Sequence, residues 1–224
     1  MTVILSGIVG STAYGLAHEG SDIDRLGCYV EPTDRFLGLH PPTAKSASRV
    51  KTNPDVTEHE VGKHVSLLLN CNPTVTELLW LDDWEVKTDI GAELVAMRCL
   101  FLSARRVRNA YLGYATAQFR KLNDRGDGSF SADTRKRTAK HARHLWRLCW
   151  QGLELYRTGV LPIRVDDPGA CINFGASVAN VPGIAAGFIA SIEQELDERP
   201  SVLPDEPDER AVNEWLVSVR RRFL

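Results

Sequence analysis

GSTAYGLAHEGSDIDRLGCYV is the sequence of residues 10–30, and this stretch is the clearest indication of the fold of the 224-residue chain. The apolar and β-branched segment Thr2–Val9 precedes it and predicts a buried strand. A short helix is expected to follow over Ser11–His18, with Ser11 or Thr12 as its N-cap. A buried strand that leads directly into a helix and a turn predicts a domain in which helices pack on a sheet.

Two carboxylates, Asp22 and Asp24, flank Ile23 at the start of a second predicted strand, Asp24–Val30. Because side chains alternate between the two faces of a strand, both carboxylates are expected on one face and Ile23 in the core. Mg²⁺ and Mn²⁺ prefer oxygen ligands and accept water and phosphate at their other positions. The pattern therefore predicts a site at which this carboxylate pair shares two such ions.

Gly10 and Ser11 lie where the first predicted strand gives way to the helix. Backbone N–H groups at the start of a helix have no partner within it, and the helix dipole favours an anion there. Gly10 would allow a phosphate group to approach closely, and the Ser11 hydroxyl could donate a hydrogen bond. Combined with the carboxylate pair, this predicts binding of a nucleoside triphosphate (NTP) and transfer chemistry at its phosphates.

A Gly-Ser pair followed by an Asp-x-Asp pair resembles the DNA polymerase β-like nucleotidyltransferase superfamily. Within it, the sequence is most similar to the RNA repair pathway DNA polymerase beta family of predicted nucleotidyltransferases. Three stretches carry the resemblance: GSTAYGLAHEGSDIDRLGCYV (10–30), DVTEHEVGKHVSLLLNCNPTVTELLW (55–80) and KHARHLWRLCWQGLELYRTGVLP (140–162). The resemblance implies an α/β (α+β) protein with a small mixed-sheet nucleotidyltransferase core and a helical C-terminal half. It also implies an RNA end, from a tRNA or a cleaved RNA, as the acceptor.

The superfamily places a third carboxylate on a strand beside the Asp-x-Asp pair. By position the candidate is Asp55, which opens a third predicted strand over Asp55–Glu60. Glu58 and Glu60 remain alternatives, although strand alternation turns them to the opposite face. The resemblance therefore implies that Asp55 completes the catalytic metal site with the Asp-x-Asp pair.

The middle of the chain is strongly basic. Residues 98–147 carry 13 Lys or Arg against 3 Asp or Glu, whereas residues 1–97 carry 7 against 14 and residues 148–224 carry 7 against 12. Such asymmetry favours a polyanion-binding surface, and a solvated helix face is the alternative. In the predicted helix Ala132–Arg157, steps of three and four residues put four basic side chains on one face: Lys136, Lys140, His144 and Arg147.

The resemblance at Lys140, His144 and Arg147 favours their contact with the triphosphate or with a nucleic-acid backbone. Lys63, at the start of the helical segment Glu60–Asn70, could also reach the nucleotide. A further nucleic-acid track could be formed by arginine and tyrosine residues on the preceding helical segment, although aromatic residues at this spacing more often belong to the core. These residues are Arg105, Arg106, Arg108, Tyr111 and Tyr114.

The organisation along the chain predicts a catalytic core over residues 1–90 and a helical region over 91–224, basic in its first part. The helical pattern that starts at Ala92 is interrupted near Ser103. A loop is expected over Asn123–Ser131, and a short strand over Val160–Val165.

The five cysteines are odd in number, widely spaced and without a Cys-x-x-Cys pair. This pattern indicates neither a disulfide framework nor a zinc ribbon, and it favours reduced thiols in the cytoplasm. The N-terminal apolar run lacks a basic flank and is interpreted as a core strand, not a signal peptide. No apolar run has the length of a membrane span.

Four alternatives share parts of this pattern. Haloacid dehalogenase-like phosphatases also carry Asp-x-Asp, but there the pair directly follows the first strand. A phosphate-binding P-loop would need Lys-Ser or Lys-Thr where this chain has Leu16-Ala17. A non-catalytic nucleotide or RNA-binding scaffold, or transfer to a protein or small-molecule acceptor, stays open because these cases share the same core motif.

Overall fold

The computed structural model describes residues 1–43, 46–123 and 132–224, without the side chains at 121–123, 132 and 133. Its strands are β1 (Thr2–Val9), β2 (Asp24–Val30), β3 (Ser48–Thr52), β4 (Asp55–Glu60) and β5 (Val86–Lys87). They form one sheet in the order β3-β4-β2-β1-β5. The strands predicted over 2–9, 24–30 and 55–60 are confirmed with these bounds.

The sheet is mixed. β1 is antiparallel to β2, with Val9 opposite Asp24, and β3 is antiparallel to β4, with Thr52 opposite Asp55. β2 and β4 run parallel, with Arg25 opposite Val56. The two strands that carry the predicted carboxylates are therefore neighbours that start at the same edge of the sheet.

The helices follow the strands closely in sequence and dominate the second half of the chain. They are α1 (Gly10–Ala13), α2 (Asp34–Leu37), α3 (Val61–Leu69), α4 (Pro73–Thr76), α5 (Asp89–Ala96), α6 (Ala104–Asn123), α7 (Ala132–Thr158), α8 (Pro168–Asn180), α9 (Gly183–Glu198) and α10 (Glu209–Arg222), with 3₁₀ turns at Glu77–Trp80 and Arg98–Phe101. The predicted small mixed sheet followed by a helical half is confirmed. The loop predicted over Asn123–Ser131 lies outside the described residues apart from Asn123, which ends α6.

Two compact units divide the chain. One consists of Met1–Ser103 and Glu206–Leu224, and the other of Ala104–Asp205. The first unit is therefore built from two separate segments, because the C-terminal helix α10 packs against α3 and the 3₁₀ turn at Arg98–Phe101. The domain boundary predicted near residue 90 stays a prediction.

The core of the first unit lies between the sheet and α3. α3 turns Val61, His64, Val65 and Leu68 inward, and all four side chains are buried. Its start is fixed by Glu60, whose carboxylate accepts a hydrogen bond from the Gly62 N–H at 2.8 Å. Such an N-cap satisfies one of the free donors at a helix start. α3 is therefore anchored at the point where β4 ends.

The core of the second unit is formed where α6 packs on α7. Tyr111 of α6 is buried, and a Cβ built on Gly152 of α7 would lie 2.6 Å from the Tyr111 Cβ. Lower on the same pair, His141 Nδ1 is hydrogen bonded to Gln118 Oε1 at 2.9 Å. The two contacts pair an early α6 residue with a late α7 residue and a late α6 residue with an early α7 residue, so the helices are antiparallel.

The strand predicted over Val160–Val165 is wrong. This segment connects α7 to α8 in an irregular conformation, although Leu161, Ile163 and Val165 are buried. Their alternation fills the core without forming a hydrogen-bonded ladder with any described strand. No helix within the described ranges is both long and apolar enough to cross a lipid bilayer. All five cysteines are free thiols.

Candidate active site

Gly10 is held directly against Asp24. Its φ of +70° lies in the left-handed region that favours glycine. A Cβ built on Gly10 would overlap the Asp24 carboxylate and lie 2.9 Å from its Cγ. The contact follows from the strand pairing, because Val9 lies opposite Asp24 and Gly10 comes next. The glycine is therefore required both by the backbone and by the position of the carboxylate.

The helix predicted over Ser11–His18 is wrong in length. α1 ends at Ala13, and its N-cap is Val9, which makes no side-chain capping hydrogen bond. Ser11 and Thr12 therefore do not cap the helix as predicted. The chain then turns, because the Leu16 N–H donates to the Ser11 carbonyl at 2.9 Å. Ser11 is the second residue of α1, which directly follows β1.

A hydrogen bond between Tyr14 and Glu77 holds the segment that follows α1, and the sequence interpretation missed it. The Tyr14 hydroxyl donates to Glu77 Oε2 at 2.6 Å, and Glu77 is only 1% exposed. A buried carboxylate needs such donors, because leaving it unpaired is costly. Both residues lie within the stretches that resemble the family, which is the one signal that could have found them.

The Asp-x-Asp pair sits at the edge of β2. Asp24 is the first residue of the strand, and Asp22 lies in the irregular segment before it. The prediction that Ile23 belongs to the core is wrong, because its side chain is 47% exposed. Strand alternation begins only at Asp24, so it does not fix the direction of Ile23 or Asp22. Asp22 is exposed to solvent.

Asp24 and Asp55 start neighbouring parallel strands. Because Arg25 lies opposite Val56, the two aspartates that precede them share one face of the sheet. Neighbouring strands lie about 4.8 Å apart, so the two backbones are close enough for their carboxylates to act on one group. Asp55 is exposed at the tip of the β3–β4 hairpin. Sequence and structure therefore agree in placing these two carboxylates at one edge.

The alternatives to Asp55 are held by other contacts. Glu58 lies on the opposite face, opposite Gly27, and its carboxylate is 2.8 Å from the Arg49 guanidinium. Glu60 is 3% exposed, and both its oxygens accept hydrogen bonds from Arg220, at 2.6 and 2.8 Å. Two carboxylates already committed to arginines favour Asp55 as the third member of the site.

The donor set fits a hard divalent cation by the type of its ligand atoms. Asp22, Asp24 and Asp55 offer carboxylate oxygens, which Mg²⁺ and Mn²⁺ prefer, and the last two share a face and an edge. Within the described residues, no group of three or more His, Cys, Asp or Glu side chains converges closely enough to hold a metal ion. The structure thus brings Asp24 and Asp55 together and leaves Asp22 upstream in an irregular segment.

Lys63 belongs to a hydrogen-bonded group on the carboxylate face. Its Nζ donates to Ser48 Oγ at 2.6 Å, and Ser48 Oγ is 2.8 Å from His59 Nδ1. His59 lies four residues along β4 from Asp55 and so shares its face. Burial, followed by the charge of Lys63, lowers the pKa of His59. A neutral imidazole can accept the Ser48 proton while the Ser48 oxygen accepts from Lys63.

The predicted nucleotide ligands Lys140, His144 and Arg147 lie on α7, in the second unit. Lys140 is exposed. Arg147 is 2% exposed and donates to Gln151 and, at 3.0 Å, to His144 Nδ1. Their contact with a nucleotide stays a prediction.

The predicted aromatic track on α6 is not an exposed surface along its length. Tyr111 is buried, and the Arg108 guanidinium lies 2.8 Å from Asp197. Tyr114 remains 38% exposed. Arg25 of β2 pairs with Glu85 at 3.0 Å. The alternative prediction, that Tyr111 belongs to the core, is therefore confirmed.

A mixed sheet with a glycine turn after β1 and carboxylates at the starts of β2 and β4 defines a nucleotidyltransferase-like α/β architecture. The chain belongs to the RNA repair pathway DNA polymerase beta family, which matches residues 1–181. This range contains every predicted site residue, whereas α9 and α10 lie beyond it. No curated protein matches the sequence.

Proposed function

We propose that the protein is a metal-dependent nucleotidyltransferase that moves a nucleoside monophosphate from an NTP to a hydroxyl of an RNA end, in a tRNA or a cleaved RNA. The observation that carries the proposal is the placement of Asp24 and Asp55 on one face at the starts of adjacent parallel strands, with Gly10 against Asp24. The family description, with its RNA repair pathway, supports the RNA acceptor.

In this reaction the acceptor hydroxyl attacks the α-phosphorus, and pyrophosphate leaves. Asp22, Asp24 and Asp55 would hold Mg²⁺ or Mn²⁺, which when bound neutralises charge on the phosphate oxygens. Gly10 leaves room beside Asp24, and the Ser11 hydroxyl and the backbone of this turn donate to the β- and γ-phosphates.

Several cations are proposed to bind the phosphate tail. Lys63 lies on the carboxylate face, and its ammonium can exchange the Ser48 hydroxyl for a phosphate oxygen. Lys140, His144 and Arg147 retain the role that the family resemblance implies for them. Of these, Lys140 is exposed and its charge is open to a ligand, whereas Arg147 acts from within a buried hydrogen-bond network.

The test is transfer from α-labelled ATP, CTP, GTP and UTP, with Mg²⁺ or Mn²⁺, into total RNA and total protein. Label in RNA with the native protein, and a loss of roughly a thousandfold with Asp24→Asn, would support the proposal, because metal neutralisation contributes several kcal/mol to such reactions. Label only in protein would identify a protein-modifying enzyme on the same fold. No label with any nucleotide would count against an RNA or protein acceptor and would leave a small-molecule acceptor or a non-catalytic binding scaffold.

A pair of variants tests the third carboxylate. Asp55→Asn is expected to lose transfer as Asp24→Asn does, with unchanged thermal unfolding, because the side chain is exposed. Glu58→Gln is the matched control, because Glu58 lies three residues away on the opposite face. Loss of transfer in Glu58→Gln with retention in Asp55→Asn would reverse the assignment.

A further inference from the structure

Cations of α6 and α7 lie at both ends of this helix pair, and the two ends differ in whether carboxylates pair with them. Because these helices are antiparallel, the start of α6 lies beside the end of α7, and the end of α6 lies beside the start of α7. We call the first the neutralised end and the second the open end, according to the charges that each carries.

At the neutralised end, carboxylates of α9 pair with the arginines. Arg108 of α6 lies 2.8 Å from Asp197 and 3.5 Å from Glu193. Arg157 of α7 lies 3.5 Å from Glu195. Individual surface ion pairs contribute little to stability, but they cancel the local positive potential. This end therefore offers little attraction to a polyanion.

At the open end, the cations are exposed. They are Arg120 at the end of α6 and Arg135, Lys136, Arg137 and Lys140 on the first turns of α7. Within the described side chains, none of these five forms an ion pair with a carboxylate. At a rise of 1.5 Å per residue, the four α7 cations span only about 8 Å along the helix axis. The described side chains of the open end therefore form a dense positive surface.

The apolar side of α7 faces inward and is not part of this surface. Ala142 and Leu145, the next inward positions on the helix, are fully buried. A helix that binds a lipid surface needs exposed apolar residues beside its cations. The open end lacks these among its described residues, and its chemistry is instead that of a surface for a soluble polyanion whose charges lie close together, such as a phosphodiester backbone.

We infer that the open end of the α6–α7 pair binds the phosphodiester backbone of the RNA acceptor, independently of base sequence. The inference rests on the proposed function for its RNA partner. Long flexible Lys and Arg side chains without fixed carboxylate partners can follow successive phosphates.

The experiment compares two triple variants in the full-length protein. Arg135→Gln, Lys136→Gln and Arg137→Gln remove three charges from the open end and leave the predicted nucleotide ligand Lys140 in place. The matched control, Arg157→Gln, Arg164→Gln and Arg199→Gln, removes three exposed charges elsewhere in the same unit. Both variants lower the net charge equally. Binding of a fluorescein-labelled RNA stem-loop is measured by anisotropy over a range of salt concentrations, without NTP or metal.

The open-end variant is expected to bind RNA on the order of tenfold to a hundredfold more weakly, with a slope of log K against log salt that is shallower by about 2. The control variant should bind like the native protein. Equal weakening of both variants, no weakening of the open-end variant, or binding to anionic lipid vesicles without binding to RNA would overturn the inference.

This assay separates the inference from the proposed function. RNA binding that depends on the open end, with no label transferred to RNA, would leave the surface established and the catalytic proposal refuted. Label transfer to RNA by an enzyme whose RNA binding does not depend on the open end would support the catalytic proposal and refute the inference about this surface.

Discussion

Gly10 joins backbone conformation and site chemistry in one residue. Gly10→Ala is expected to reduce nucleotidyl transfer by roughly a hundredfold, because the new methyl group would displace the Asp24 carboxylate. It is also expected to destabilise the fold by about 1 kcal/mol, because alanine is strained at a φ of +70°. Label transfer and urea unfolding measure the two effects separately.

Gly20→Ala provides the matched control for Gly10→Ala. Gly20 has a φ of +83°, but a Cβ built there meets no atom within 4 Å. It carries the same kind of backbone strain without the contact to Asp24. Similar losses of transfer in the two variants would show that strain in this segment, and not the displaced carboxylate, controls activity.

His64 makes the stability of the first unit sensitive to acid. Burial and the nearby His59 lower the pKa of His64 to about 3, against 6.5 for an unperturbed histidine. Protonation of His64 therefore does not lower the free energy of unfolding above pH 6.5. As the pH falls from 6.5 towards 3, the free energy of unfolding decreases by about 1.4 kcal/mol per pH unit, because only the unfolded chain binds the proton in that range. Replacing His64 should remove this dependence.

We expect His64→Leu to gain about 2 kcal/mol relative to the native protein between pH 6.5 and pH 5. The substitution also removes two ring nitrogens that, within the described part of the chain, are buried without a hydrogen-bond partner. Chemical denaturation at each pH measures the difference, and the exposed His40→Leu serves as the control. Parallel stability curves for the native protein and His64→Leu would contradict the assignment.

The residues that the sequence predicted best are those whose role follows from local spacing. Gly10 and Asp24 are separated by one turn of chain, and the strand pattern around them is strong. Tyr14 and Glu77 lie 63 positions apart, and Glu60 and Arg220 lie 160 positions apart. Pairings of that kind depend on the folded topology, which periodicity in a single sequence does not contain.

Helix α10 is attached to the sheet through one buried ion pair. Arg220→Ala would leave the Glu60 carboxylate buried and without its arginine, so we expect a loss of about 3–5 kcal/mol in the stability of the first unit. Thermal and urea unfolding measure this loss. Combining Arg220→Ala with Glu60→Gln should recover part of it, because a neutral amide is less costly to bury than a carboxylate.

Arg221→Ala is the control for this helix. Arg221 is the next residue of α10 and is exposed, so its replacement should change stability by less than about 0.5 kcal/mol. If Arg221→Ala and Arg220→Ala were equally destabilising, loss of a positive charge in the last turn of α10, and not loss of the buried ion pair, would be responsible.

The helices and strands that a single sequence does not reveal are those whose structure depends on contacts with another part of the chain. β3 has the sequence SRVKT, and its Val50 is exposed, so no apolar alternation marks it. It is a strand because it pairs along the whole of β4. Asp166-Asp167-Pro168 has the composition of a turn, whereas Asp167 is the N-cap of α8 and its carboxylate accepts from the Ala170 N–H at 2.8 Å. Capping residues and turn residues are chemically the same.

At the scale of the whole molecule, charge asymmetry was visible in the sequence but its organisation was not. Counting residues located the basic segment at 98–147. Only the helix pairing showed that α9 cancels the arginines at one end of α6 and α7 and leaves the other end positive. The positions of α9 and its carboxylates, roughly 40 to 90 residues away from these arginines, decide where a polyanion is attracted.

The discontinuous first unit constrains how the protein is made. Its sheet leaves the ribosome early, but α10, which supplies Arg220 to the buried Glu60, is synthesised only after the whole of the second unit. At about 5–20 residues per second, the sheet waits on the order of ten seconds with that carboxylate unpaired. During this interval the nascent chain exposes the surface that α10 later covers, so chaperone binding to the nascent protein should be concentrated in that window.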